Sequence, residues 1–139
     1  MSSSACSLRG YPGVTKIPTC RTGGADSHPA IDTAAVEAWF TKGEHAAAYS
    51  GFEGATDEQG VRVGLGGGLR ERQVEAVDVV GIATDHCVRA TALDAVSEGF
   101  STRVLLDLTA GVARPTTDAA LEQLRAAGAE LVGEPVVRP

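Results

Sequence analysis

The chain has 139 residues, 43% of them hydrophobic, enough for one domain with a real core and too apolar for global disorder. Its 18 acidic and 12 basic side chains give a net charge of −6, with no basic run, which argues against a nucleic-acid or anionic-membrane binder. No apolar stretch approaches the ~20 residues of a membrane helix, and "MSSSACSLRG" has no charged start followed by an apolar run, so no signal peptide is read. A reducing cytosol is therefore expected, with Cys6, Cys20 and Cys87 as free thiols.

Residues 1–33 are rich in Ser, Gly, Pro and Thr without a lasting period, and read as an irregular segment preceding a domain at 34–139. "AVEAWFTK" then alternates, with Val36, Ala38, Phe40 and Lys42 on one face, which predicts a strand with Lys42 at its carboxyl end. Residues 43–60 read as a long glycine-containing loop. "VGLGGGLRE", residues 63–71, departs from the dinucleotide-binding spacing and reads as a flexible connector, with a short exposed helix from Leu69 to Arg72.

The remainder is more regular. "VDVVGI", Val77 to Ile82, predicts a buried strand. Thr84 or Asp85 is placed to cap a helix along which Val88, Ala92, Ala95 and Val96 recur, stopped by Gly99. "TRVLLDL" predicts a second buried strand. Thr116 or Thr117 starts a helix with Ala120, Leu121, Leu124 and Ala127 on one stripe, ending at Gly128, and "AELVG" a last strand. Alternating strands and helices of this kind form a parallel α/β sheet with right-handed crossovers.

Sites in open α/β sheets gather at the carboxyl ends of strands, where "ATDHC" falls. Cys87 would lie in the first turn of the next helix, where unpaired N–H groups and the helix dipole favour a thiolate, the nucleophilic form. An ammonium such as Lys42 nearby would favour it further. The competing readings are a buried cysteine acting as a small hydrophobe and a solvated lysine. His86 does not face its neighbour on a helix and reads as a wall of the site.

The run from Val77 to Val132, "VDVVGIATDHCVRATALDAVSEGFSTRVLLDLTAGVARPTTDAALEQLRAAGAELV", resembles the C-terminal half of bacterial nicotinamidases, or pyrazinamidases, within the isochorismatase-like hydrolases. "GADSHPAIDT", "FTKG" and "AYSGFEG" match the segments preceding it. The resemblance implies a three-layer α/β/α, Rossmann-like fold with a parallel sheet, and hydrolysis of nicotinamide to nicotinate and ammonia in cytoplasmic NAD salvage. It implies a Cys–Lys–Asp triad, in which Cys87 matches the nucleophile and Lys42 the lysine. Ile82 and Ala83 match a pair joined by a non-proline cis peptide, whose Ala83 N–H would join the Cys87 N–H as an oxyanion hole. Tyr49 and His86 match residues lining the nicotinamide pocket.

Other parts of the pattern are missing. The family's aspartate ends an apolar first strand of the type "hhhVDhQ", which has no counterpart here, and Asp26 and Asp32 match a later loop. The family's divalent metal (zinc, iron or manganese) is held by Asp-x-His and two further histidines. This chain has only His28, His45 and His86, with Thr19 where a ligand would precede Cys20, so metal ligands are not present. An N-terminally incomplete fold is thus expected, through a shifted frame or wrong start upstream or through true truncation. Loss of a central strand would expose a sheet edge, lower stability and favour self-association as a homo-oligomer. Near-zero amidase activity follows if triad members act as a unit. The alternative is an inactive remnant that binds a ligand or protein; a third reading changes the substrate to another small amide.

Overall fold

The computed structural model describes residues 6–10, 13–17, 36–40 and 49–137. Strands β1 (Cys6–Gly10), β2 (Gly13–Ile17) and β3 (Val36–Trp39) are followed by a 3-10 turn, Gly51–Glu53. A hairpin of β4 (Ala55–Glu58) and β5 (Val61–Gly64) leads into helix α1 (Leu65–Glu71). Strand β6 (Ala76–Ile82), a π-helical turn (Thr84–Val88), α2 (Arg89–Ser97), β7 (Ser101–Gly111), α3 (Arg114–Ala127), β8 (Glu130–Val132) and β9 (Val136–Val137) complete the order.

The main sheet runs β3-β2-β1-β6-β7-β8, with β9 also on β7. Pairings β2–β3, β6–β7, β7–β8 and β7–β9 are parallel, whereas β1 is antiparallel to both β2 and β6. Along β6 and β7 the side chains alternate. Val77, Val79, Val104 and Leu106 are buried in one cluster with Val88, Ala92 and Ala95 of the following turn and α2, and with Leu124 of α3. On intervening positions, registered partners Asp78 and Arg103 form a bidentate ion pair, Nε to Oδ1 at 2.8 Å and Nη2 to Oδ2 at 2.7 Å.

Helices α2 and α3 end as expected, at Gly99 (φ 92) and Gly128 (φ 95), because glycine takes the left-handed conformation without a Cβ clash. The predicted caps differ. The residues at the cap positions are Ala83 for the π turn and Ala113 for α3, neither with a side-chain cap bond. Ala127, on the same helix face as Ala120 and Leu124 but at the last turn, is exposed.

Four further expectations are corrected. The segment read as irregular, 1–33, contains β1 and β2. The β6 edge expected to be exposed is paired by β1, from Cys6 opposite Gly81 to Gly10 opposite Val77. A buried sheet edge demands backbone partners whatever the side chains are, and a composition reading does not see that demand. Residues 43–60, read as a loop, include the 3-10 turn, closed by a Ser50–Glu53 capping box, and strand β4. Gln59 (φ 52) and Gly60 (φ 82) make the left-handed pair that joins β4 to β5. The "connector" is helical: Leu65 and Leu69 are buried, and packing outweighs the weak helix propensity of three glycines. Gly68 is there for space, since a Cβ would lie 2.6 Å from Phe40 Cζ.

Candidate functional site

Cys87 lies where the strand–helix pattern places it, just past the carboxyl end of β6. Its thiol is free but sits beneath the surface, 5% exposed, rather than open at the sheet's mouth. The turn carrying it is π-helical: Val88 N–H donates to the Ala83 carbonyl at 3.1 Å and Arg89 N–H reaches the Thr84 carbonyl. The preceding Ile82–Ala83 peptide is cis, at the pair singled out from the sequence.

Two ties hold this turn against the neighbouring strand and helix. Thr84 Oγ1 donates to Thr109 Oγ1 at 2.9 Å, which donates to the Leu106 carbonyl at 2.9 Å. The Asp85 side chain is fully buried and accepts from Val112 N–H at 3.0 Å, Ala113 N–H at 3.3 Å and Thr116 Oγ1 at 2.6 Å. Burial alone would raise its pKa. The hydrogen bonds, led by that from Thr116, overcome this and hold the carboxyl below its ordinary value. Asp85 therefore ties in the start of α3 rather than capping its own helix. Sequence reasoning missed this because the partners lie 27–31 residues away, and no local pattern signals such a bond.

The His86 and Tyr49 rings stack, with centroids 5.8 Å apart and planes 27° from parallel. Tyr49 is 60% exposed. Its segment is anchored two residues on, where Gly51 N–H donates to Thr91 Oγ1 of α2 at 2.8 Å. Lys42, His28, His45, Asp26, Asp32 and Cys20 lie outside the described residues.

Among the described residues, no three of His, Cys, Asp and Glu converge as metal ligands. His86 Nε2 stands 3.9 Å from Asp85 Oδ2, but both Asp85 oxygens are already occupied by donors. The described residues therefore do not fit a metal centre. A cavity of about 360 Å³ between α3 and the C-terminal segment, lined by Arg114, Arg125 and Glu134 among others, includes none of Tyr49, Ile82, Ala83, Asp85, His86 and Cys87. No helix among the described residues is long and apolar enough to cross a membrane.

Comparison with known proteins places this geometry. Residues 22–134 match the family model described as the isochorismatase domain. The chain is 61% identical over 117 residues to a nicotinamidase/pyrazinamidase of Mycobacterium tuberculosis, covering 83% of this chain and 61% of that protein. It superposes on PnC1 from L. infantum in complex with nicotinate with a TM-score of 0.71 at 35% identity, over 85% of this chain and 60% of the other. The pyrazinamidase of Pyrococcus horikoshii in complex with zinc gives a TM-score of 0.66 at 37% identity, over 81% and 58%. The chain thus spans about three-fifths of the length of these proteins. With an α/β fold, a cysteine turn at a strand's carboxyl end and a family match over more than half its length, the chain belongs to the isochorismatase domain family.

Proposed function

We propose that the site performs nicotinamidase-type amide hydrolysis, with Cys87 as nucleophile and Lys42 holding its thiolate. The observation that carries this reading is the free thiol in the turn after the cis Ile82–Ala83 pair, beside the stacked Tyr49–His86 rings. The 61% identity to the M. tuberculosis nicotinamidase/pyrazinamidase supports nicotinamide or pyrazinamide as the substrate. The sulfur adds to the carboxamide carbon, and the carbonyl electron pair moves onto oxygen, held by the Ala83 and Cys87 N–H groups. The amide nitrogen takes a proton from solvent water, the C–N bond breaks and ammonia leaves, giving a thioester. Water then adds, the thiolate departs and nicotinate is released. Tyr49 and His86 hold the pyridine ring. Release of nicotinate is the step that would feed cytoplasmic NAD salvage.

One observation favours a second reading, ligand binding without turnover. The ammonia-forming step needs a mobile proton, yet the carboxylate nearest Cys87 in sequence, Asp85, is committed to hydrogen bonds and its proton affinity is lowered. Incubating the 139-residue chain with nicotinaldehyde and, separately, with nicotinamide divides the two. Addition of the Cys87 thiolate to the aldehyde, with a proton taken up on oxygen, needs only the nucleophile; ammonia release needs the complete machinery. Adduct plus ammonia, both lost in Cys87→Ala, is the result expected of the enzyme. Adduct without ammonia selects the binding module, and no adduct overturns the nucleophile assignment.

A further inference from the structure

We propose that Asp85 is a positioning residue for Cys87, acting through the start of α3; the inference rests on Cys87 being the nucleophile. Three features meet at this carboxylate. It is fully buried, and all three of its donors come from the β7–α3 junction: two backbone N–H groups and the Thr116 hydroxyl. Helix α3 has no side-chain cap of its own; Asp85 instead holds the two residues that lead into it, through the Val112 and Ala113 N–H groups, and the Thr116 hydroxyl of its first turn. It also lies in the π turn, with Thr84 beside it tied to Thr109.

A π turn holds one residue more than the α-helical turn it would relax to. Relaxation by that residue rotates what precedes it by about 100° around the helix axis. Such a rotation would carry the Cys87 sulfur and the His86 ring together away from their present placement against Tyr49. The ties of Thr84 and Asp85 to the β7–α3 junction oppose it, because each would lose its hydrogen bonds. The carboxylate thus sets where the sulfur points, without touching a substrate.

The test compares Thr116→Val, Thr116→Ser and Asp85→Asn in the 139-residue chain. Cys87 alkylation by iodoacetamide is mapped by mass spectrometry against Cys6 in the same molecules. Nicotinaldehyde adduct formation and hydrogen exchange at the Val88 and Arg89 amides are measured alongside. Expected for Thr116→Val and Asp85→Asn are about a tenfold change in Cys87 labelling, a loss comparable to one hydrogen bond to a charged group, and adduct weakening of similar size. Cys6 labelling should stay constant, Val88 and Arg89 should exchange faster, and Thr116→Ser should restore wild-type behaviour. Cys87 and Cys6 changing together, in step with the melting temperature, would reduce Asp85 to a stabilising contact and overturn the proposal. Unchanged Val88 and Arg89 exchange in both disruptive variants would also overturn it. If wild-type Cys87 is inert to both reagents, the nucleophile reading fails by itself, and the exchange measurement still decides whether Asp85 holds the turn.

Discussion

The run from β6 to β8 and strands β1 to β3 join the same sheet by different means. In the later region the parallel pairing of β6 with β7 is reinforced by an apolar face, Val77, Val79, Val104 and Leu106, packed against Ala92, Ala95 and Leu124. A shift of one residue would turn that face out of the core, so packing fixes the register. In the earlier region β1 is a five-residue strand inserted antiparallel between β2 and β6. A packed crossover and an inserted ladder within one sheet are expected to differ in resistance to opening, and substitutions in each measure the difference.

The comparison can be broken most forcefully at Leu124, which is fully buried. Leu124→Ala should cost about 2–5 kcal/mol, read as a single loss of stability in denaturant unfolding. Next comes Asp85→Asn, expected to cost about 1–3 kcal/mol by leaving buried donors without their acceptor. The pH dependence has a definite sign. A folded pKa below the unfolded ~3.9 means that the carboxylate's contribution is complete above that value and is lost as pH falls through the lower folded value. Acid unfolding curves of wild type and Asp85→Asn should therefore converge below about pH 4. Gly68→Ala is smaller: overpacking against Phe40, partly offset by alanine's better helix propensity, leaves about 1–2 kcal/mol of destabilisation. The smallest global effect is expected from Ser7→Pro, under about 1 kcal/mol if β1 opens on its own. Hydrogen exchange at the β6 amides should still accelerate. A cooperative loss as large as that of Leu124→Ala would show that the two regions unfold as one.

Legibility followed the same divide. β6, α2, β7 and α3 were readable because β-branched runs, helical spacing and the glycine stops at 99 and 128 are local signals of the contacts actually made. Strand β1 was not, because its pairing answers a backbone demand set by residues 77–81, and neither was β2, whose partners are β1 and β3. Helix α1 was hidden by its glycines, of which Gly68 permits the close approach of Phe40. At the candidate site, the positions of Cys87 and of the Ile82–Ala83 pair were legible through the strand end and the family resemblance, whereas the stacking of Tyr49 on His86 was not, since the resemblance implied only that both line a pocket. The π turn and the Asp85 tie were not: a capping residue and a long-range acceptor look alike in a sequence, and only the fold tells whose N–H groups lie within reach.

The far side of β7 carries a consequence for life in a crowded solution. Its eleven residues are bordered by β8 at Arg103–Leu105 and by β9 at Ala110–Gly111, with Gly133 and Pro135 in the gap. An incoming strand meets two short steps instead of one continuous rail, and the proline offers it no donor. On this flank the molecule is shielded from fibril-like stacking by interruption rather than by charge.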